Sequence, residues 1–160
     1  MRYALLLVAL VIAAGCTDQP AKSDRPKKAT KESHPSKGPH GGALAEWGEE
    51  NYHAEFTVDH AKKQVIIYIL DGSAKKAEPV AADTLTLTIS NVKPPVQVTL
   101  KADPQDGDPK GQSSRFRGTH DALGTEMEFE GEIAGTVGGT PFSGEFKEKA
   151  DGGHKHNKER

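Results

Sequence analysis

The chain has 160 residues, with 21 Lys and Arg against 23 Asp and Glu, which gives a net charge of −2 at pH 7. This balance argues against a nucleic-acid-binding protein, since such proteins usually carry a basic surface. The single cysteine excludes an intramolecular disulfide and a cysteine-rich zinc site. Turns are frequent because the chain holds 17 Gly and 10 Pro, and the length suits one domain with tails.

Residues 1–15 are predicted to be a signal peptide. An apolar run at 4–14 follows a short positive region and is too short to span ~30 Å of hydrocarbon. The Ala13-Ala14-Gly15-Cys16 end resembles the lipobox of bacterial lipoproteins, in which the cysteine is lipidated and becomes the mature N-terminus. The resemblance implies lipidation of Cys16 and a bacterial envelope location, with Thr17 favouring the outer membrane facing the periplasm over the cell membrane. An ordinary signal peptide with an unrelated cysteine is the alternative.

Three segments make up the mature chain. Residues 16–40 combine Cys16 with a tether rich in Pro and Lys that has almost no apolar side chains, so it cannot bury enough surface to fold. Residues 41–151 contain nearly all the patterned apolar residues and carry a net negative charge, and they are long enough for one core. Residues 152–160 form a polar tail that contains histidine. We expect the tether and the tail to be disordered.

Apolar residues at every second position predict a first β-hairpin. Apolar and polar residues alternate along 51–58, as in a strand with one buried face. Residues 65–70 form a continuous run rich in β-branched side chains, which is typical of a strand covered on both faces. The polar connector at 59–63 makes the two a hairpin. We expect a strand around 43–46 to pair with the first of them.

Further short strands follow along the chain. Three are predicted at 84–89, at 96–100 and around Phe116, and another at 126–132, where glutamates alternate with apolar residues and are expected to protect a sheet edge. Segments 133–137 and 142–146 flank a two-residue Gly-Gly turn. The pattern predicts an all-β fold, a single antiparallel β-sandwich or small open barrel of about seven or eight strands.

Catalytic motifs are missing from the sequence. There is no G-x-S-x-G and no glycine-rich phosphate loop after a strand. Ser113 and Ser114 lie in a stretch that is typical of a turn. With the only cysteine assigned to the anchor, no thiol nucleophile is available, and we expect a protein that is not an enzyme.

Histidine is the unusual feature of the composition. The chain contains His34, His40, His53, His60, His120, His154 and His156. Imidazole binds Zn²⁺, Cu²⁺ and Ni²⁺ and needs no thiol partner.

The most informative of these histidines are His40, which is followed by two glycines, and His53. On a strand, His53 and Glu55 project from the same face because side chains alternate. The residues between His40 and His53 let the chain double back and bring the three side chains together. Spacing alone leaves both a metal site and a hydrogen-bonded surface pair open.

A family resemblance favours the metal site. The stretch Gly38-Pro39-His40-Gly41-Gly42-Ala43-Leu44, with Gly48 and Tyr52-His53-Ala54-Glu55-Phe56, resembles a segment near the N-terminus of periplasmic adaptor subunits of heavy-metal efflux pumps of the resistance-nodulation-division class. It is also similar to small bacterial lipoproteins that share His-Gly-Gly and His-x-Glu. The resemblance covers about residues 38–71 and does not extend to the helical hairpin or lipoyl-like domains of an adaptor. It implies a metal-related envelope role, with His40, His53 and Glu55 as ligands.

The tail contains a second candidate, His154-Lys155-His156. Two imidazoles on a flexible segment bind metal weakly, because the ordering entropy offsets much of the gain. We expect the tail either to be solvated or to donate a ligand to the His40 and His53 site.

Together these observations predict a lipid-anchored envelope protein that binds a divalent transition metal, namely zinc, copper or nickel, for buffering or for handover to an efflux system. The expected partners are the membrane, through the anchor, and an envelope protein or metal efflux component, with no nucleic acid. The alternative is an interaction or structural module without a metal site, which docks on another envelope protein by its acidic face or a free strand edge.

Overall fold

The structure is a computed structural model that describes residues 37–148. Its elements are β1 (Ala43–Trp47), β2 (Tyr52–Asp59), β3 (Gln64–Asp71), β4 (Thr84–Ile89), β5 (Val96–Ala102), β6 (Arg115–Thr119), a 3₁₀ turn (Asp121–Gly124), β7 (Glu130–Val137) and β8 (Thr140–Lys147). The predicted signal peptide, Cys16, most of the tether and the histidine-containing tail lie outside the described residues. In the range from 37 to 148, no helix is long and apolar enough to cross a membrane.

The strands form one antiparallel sheet in the order β1-β2-β3-β6-β5-β4-β7-β8. The sheet curls until its two edge strands meet. A Cβ on Gly144 of β8 would collide with the backbone carbonyl of Glu46 in β1. Nearby, the ring of Phe142 in β8 lies 5.6 Å from that of Trp47 in β1. The result is a nearly closed barrel, which confirms the predicted all-β class.

The barrel interior is filled by apolar side chains from alternate positions of the strands. Among the fully buried large side chains are Trp47, Phe56, Ile67, Leu87, Leu100, Phe116 and Phe129. Phe56 of β2 stacks on Phe146 of β8 with ring centroids 4.4 Å apart. Each large apolar side chain buried in this way contributes about 1.5–3 kcal/mol. Because a slip of one residue would turn a strand's apolar set outward, this interior determines the register of the sheet.

Two predicted hairpins are confirmed. β2 and β3 pair along their full length, and this register places Glu55 opposite Tyr68. β7 and β8 are joined by Gly138 and Gly139, whose φ angles of 57° and 88° are those that a two-residue type I′ turn requires. The expected pairing of the first strand with β2 is also confirmed.

The strand predicted at 126–132 is wrong in position and in environment. β7 begins at Glu130 and continues without a break through the segment that was expected to be a separate strand at 133–137. It pairs with β4 on one side and with β8 on the other, so its glutamates do not protect an edge. Residues 126–129 precede the strand, and Phe129 is fully buried beside Phe56. Residues 126–129 resemble a strand in sequence because the apolar Phe129, which fills the core just before β7 begins, lies between two glutamates.

Candidate metal centre

The site is built on Glu55, a carboxylate in the middle of β2 whose side chain is 0% exposed. Its neighbours on the strand, Ala54 and Phe56, belong to the core, so Glu55 points to the outer face of the sheet. A buried carboxylate is costly unless it is hydrogen-bonded. It must therefore be covered by a segment that supplies donors.

Residues 37–42, which we call the His-Gly-Gly loop, fold over this carboxylate. The backbone N–H groups of His40 and Gly42 donate to Glu55 Oε1 at 2.8 and 2.9 Å. The ring atom Nδ1 of His40 lies 2.7 Å from Glu55 Oε2. The loop closes on itself where the N–H of Gly38 donates to the carbonyl of Gly42 at 3.0 Å. Residues 37–40, which the sequence assigned to the tether, are thus anchored to the barrel by Glu55.

The glycines of this loop are explained by the close approach of its backbone to the sheet. Gly41 has a φ of +83°, which favours glycine. A Cβ on Gly38 would lie 2.7 Å from Glu55 Oε1, and a Cβ on Gly42 would collide with the backbone carbonyl of Phe56. Side chains at these positions would lift the loop off the carboxylate.

The ring of His40 is held from two directions. One face stacks on Tyr68 of β3, with centroids 3.6 Å apart and an angle of 7° between the planes. The Nδ1 edge points at Glu55, whose carboxylate accepts the bond, so hydrogen bonding places the ring proton on Nδ1. In the neutral ring, Nε2 then carries a lone pair on the outward edge of a side chain that is 41% exposed.

This arrangement is the one in which metal-binding histidines are usually found, with one ring nitrogen donating to a carboxylate and the other left for the metal. The structure therefore brings two predicted ligands, His40 and Glu55, into contact. Glu55 was expected to bind the metal itself, but its enclosure favours a supporting role. It orients the imidazole, whereas His40 faces the solvent.

His53 lies two residues before Glu55 on the same face of β2, but it has a different partner. Its side chain is 1% exposed, and its Nδ1 donates to the backbone carbonyl of Asp71 at 3.2 Å. The segment after β3 lies alongside that strand, since Ala77 bridges to Leu70, the residue opposite His53. His53 is thus almost fully buried, whereas the His40 side chain is 41% exposed.

Two other histidines have local structural roles. His60 donates from Nδ1 to the carbonyl of Leu123 at 2.8 Å, which ties the β2–β3 turn to the 3₁₀ turn. His120 caps that turn, since its Nδ1 accepts from the N–H of Ala122 at 3.1 Å. Neither bond extends to the His-Gly-Gly loop.

Within residues 37–148, no group of three or more His, Cys, Asp or Glu side chains is arranged to hold a metal ion. His154 and His156 were predicted as further ligands, and they lie outside this range. Metal binding by His40, His53 and Glu55 therefore stays a prediction, with His40 the best placed of the three.

Glu148 and Asp108 are two of the carboxyl groups elsewhere on the barrel whose pKa values are shifted. Burial raises the pKa of Glu148, against the opposing effects of the Phe129 N–H bond and the His60 charge. For Asp108, burial would raise the pKa, but hydrogen bonds from Ser114 and Gln105 outweigh it, and the pKa is lowered. Asp108 joins two parts of one loop through the N–H groups of Gln105 and Ser114, and Glu148 accepts from the N–H of Phe129.

Tyr68 is the residue of the site that the sequence analysis missed. The hairpin was predicted from its two strands, and a four-residue turn at 60–63 sets Tyr68 opposite Glu55. Extending the hairpin register to its cross-strand pairs would have shown an aromatic residue beside the carboxylate.

No family model, curated protein or solved structure matches this chain. The fold and the site define a small β-barrel domain with a carboxylate-oriented, exposed histidine. Its function is argued from that geometry.

Proposed function

We propose that this protein is a lipid-anchored envelope protein that binds a divalent transition metal through Nε2 of His40 and hands it over to an efflux component. The observation that carries the proposal is the 2.7 Å contact between His40 Nδ1 and the buried carboxylate of Glu55. It supports metal binding because a carboxylate behind a ligating histidine fixes the ring and strengthens its free nitrogen as a donor.

The ring is ordered before any metal arrives. Stacking on Tyr68 and the bond to Glu55 hold both side-chain torsions of His40. A ligand on a free surface side chain must lose this freedom on binding, which reduces affinity. Preorganisation therefore makes His40 a better ligand than an ordinary exposed histidine.

The identity of the donor favours particular metals. An imidazole nitrogen suits Zn²⁺, Cu²⁺ and Ni²⁺, whereas Ca²⁺ and Mg²⁺ prefer oxygen ligands. The excess of acidic over basic side chains in the barrel region adds a long-range attraction for cations.

Handover is favoured over storage by the exposure of the ring. A single outward nitrogen leaves most coordination positions of the metal accessible to an acceptor. Structural zinc sites, by contrast, enclose the ion with four protein ligands. The lipid anchor expected at Cys16 supports an envelope acceptor, because it would hold the site near membrane-bound partners.

The proposal is tested by titrating Zn²⁺ into purified, untagged full-length protein by isothermal calorimetry. We expect His40→Gln to abolish Zn²⁺ binding at this site and Glu55→Gln to weaken it by about 10–100-fold. The matched control is His120→Asn, which removes an exposed imidazole while keeping a side chain that can cap the 3₁₀ turn.

Circular dichroism of each variant separates loss of binding from loss of folding, and His40→Gln leaves the barrel core untouched. Zn²⁺ binding of wild-type strength in a folded His40→Gln variant would overturn the proposal. It would favour the alternative, an interaction module without a metal site.

A further inference from the structure

We propose that a cleft on the outer face of β5 and β6 binds a phosphate group, either as the free ion or as a phosphomonoester such as a lipid headgroup. The cleft has a volume of about 430 Å³. Its lining includes the polar and charged residues Gln64, Thr99, Lys101, Asp103, Arg117 and Thr119. None of the residues that line it belongs to the His40 site, so the inference does not depend on metal binding.

The cleft lies where the pairing between β5 and β6 stops. These strands pair at two positions, and the pair of Lys101 with Arg117 is the last before they separate. Beyond it, Gly118 and Thr119 of β6 pair with β3 and not with β5. Thr99 of β5 and Thr119 of β6 then line the cleft between the diverging strands.

Two cations lie directly opposite each other at the edge of this cleft. Leu100 and Phe116 point into the core, so their neighbours Lys101 and Arg117 project from the outer face. Like charges in directly opposite positions destabilise a pair of strands. A bound anion would relieve this repulsion, which is unusual in a barrel region whose acidic side chains outnumber the basic ones.

The carboxylate of Asp103 neutralises these charges only in part. Its Oδ2 lies 2.7 Å from Nη2 of Arg117 and 2.8 Å from Nε of Arg115, so one carboxylate serves two guanidinium groups. The ion pairs formed among residues 37–148 do not include Lys101. Three cations against one carboxylate therefore leave an excess of two positive charges beside the cleft.

Arg117 keeps hydrogen-bond donors for a ligand. Its side chain is 41% exposed, and its contact with Asp103 uses Nη2. In the described part of the chain, Asp103 Oδ2 and the buried Nε of Arg117 have no partner with hydrogen-bond geometry. A guanidinium group presents five N–H donors in a planar fork that matches two phosphate oxygens. The geometry thus leaves Arg117 available to bind an oxyanion from the solvent side.

The charge and the donors of the cleft favour phosphate over a carboxylate. A phosphate monoester carries a charge of about −1.5 to −2 at pH 7 and three acceptor oxygens, whereas a carboxylate carries a single charge. The phosphate charge matches the local excess. The hydroxyl groups of Thr99 and Thr119 and the amide of Gln64 line the same cleft and can donate to the oxygens that the cations leave unbound.

The test is a calorimetric titration of inorganic phosphate into the full-length, untagged protein in metal-free buffer. We expect Lys101→Gln and Arg117→Gln each to weaken binding by about 10–100-fold, as for a lost hydrogen bond to a charged group. Arg117→Lys keeps the charge but loses the fork, and should bind at least about threefold more weakly than wild type. The matched control is Lys75→Gln, which removes the same charge from an exposed position after β3 and should change affinity by less than about twofold.

Thermal unfolding separates loss of binding from loss of folding. Without phosphate, Lys101→Gln should melt no lower than wild type, because the substitution removes a like-charge pair. Added phosphate should raise the melting temperature of wild type and of Lys75→Gln but not that of Lys101→Gln.

The source of the phosphate group is distinguished with dihexanoyl phosphatidic acid, a short-chain lipid that stays in solution and carries the same phosphomonoester. Tighter binding of this lipid than of inorganic phosphate, lost in Lys101→Gln, would support the site and assign it to a headgroup. Tighter binding of inorganic phosphate would support the site and assign it to the free ion.

Three results would overturn the inference. They are the absence of binding of either probe to wild type, binding that is unchanged in both Lys101→Gln and Arg117→Gln, and binding of acetate as tight as that of phosphate. The last would show a general attraction for anions in place of a phosphate site. The metal proposal is tested separately, because His40→Gln should bind phosphate as wild type does, whatever its affinity for Zn²⁺.

Discussion

The imidazole of His40 lies parallel to the phenol ring of Tyr68, with centroids 3.6 Å apart. The two residues are far apart in the sequence and meet because the His-Gly-Gly loop crosses β2 and reaches β3. Glu55, opposite Tyr68 in the hairpin, binds the same imidazole at Nδ1. Tyr68 therefore sets the plane of the His40 ring, and Glu55 sets which edge of the ring faces the sheet.

We expect the aromatic ring of Tyr68, and not its hydroxyl group, to contribute to Zn²⁺ affinity. Tyr68→Phe should keep Zn²⁺ affinity within about twofold of wild type, whereas Tyr68→Ala should lower it about tenfold, the equivalent of a lost aromatic contact of ~1.4 kcal/mol. Calorimetric titration of the two variants measures this. Equal affinity in Tyr68→Ala and wild type would show that Glu55 alone orients His40.

Gly38 is predicted to be required for the loop to close over Glu55. A Cβ there would overlap the carboxyl group, so Gly38→Ala should lower the free energy of unfolding by about 1–3 kcal/mol. Urea denaturation measures the change. Gly124→Ala is a suitable control, because its Cβ would meet only the flexible side chain of Lys63. A Gly38→Ala variant as stable as this control would contradict the packing of the loop on Glu55.

Asp108 should stabilise the fold at neutral pH. Its carboxylate accepts from the N–H groups of Gln105 and Ser114 at 2.8 and 2.9 Å, and its pKa is lowered because these bonds outweigh the effect of burial. A lowered pKa in the folded state gives stability that is present above the ordinary value of 3.8 and lost as the pH falls through the folded value. Asp108→Asn should therefore cost about 1–3 kcal/mol at pH 7 and progressively less in acid.

Urea denaturation of Asp108→Asn at several pH values tests this expectation. The exposed neighbour Asp106 provides the control, Asp106→Asn, which should stay within about 0.5 kcal/mol of wild type. A deficit in Asp108→Asn that does not shrink below pH 3.8 would mean that the geometry of the loop, and not the charge, is responsible.

Glu148 should act in the opposite direction. Burial raises its pKa above the ordinary value of 4.5, although the Phe129 N–H, at 3.1 Å from Oε2, and the His60 charge work against this. A carboxyl with a raised folded pKa binds more protons when folded, so its contribution to stability decreases as the pH rises through that window. Glu148→Gln removes the titration and can keep an acceptor for Phe129.

The measurement for Glu148 is the difference in unfolding free energy between Glu148→Gln and wild type across pH. We expect this difference to move in favour of the variant as the pH rises from 4.5 through the raised pKa. A difference that is constant with pH, or that moves the other way, would contradict the effect of burial on this group.

Much of the barrel could be predicted from the sequence because its strands have clear signals. The β2–β3 hairpin follows from alternation along 51–58 and the apolar run at 65–70, and the β7–β8 turn follows from Gly138-Gly139. The error at 126–132 has a physical cause, since alternation of Glu with apolar residues looks the same before a strand as within one. The position of β7 in the sheet depends on its pairing with β4 on one side and β8 on the other, which the local pattern does not contain.

The candidate site could be predicted only in part. The spacing of His40, His53 and Glu55 indicated a polar group on one face of β2, and the structure joins His40 to Glu55. It directs the Nδ1 of His53 to the carbonyl of Asp71 instead. No pattern of residue types records which segment covers a strand's outer face.

The sequence by itself determined the all-β class, the main hairpins and the presence of a histidine beside a carboxylate, because these depend on alternation and spacing over a few residues. Tertiary structure alone decided that Glu55 is enclosed, that Tyr68 supports the His40 ring, and that the two edge strands β1 and β8 meet. These depend on contacts between segments distant in the chain, where burial and backbone hydrogen bonding select one arrangement from many with the same local pattern.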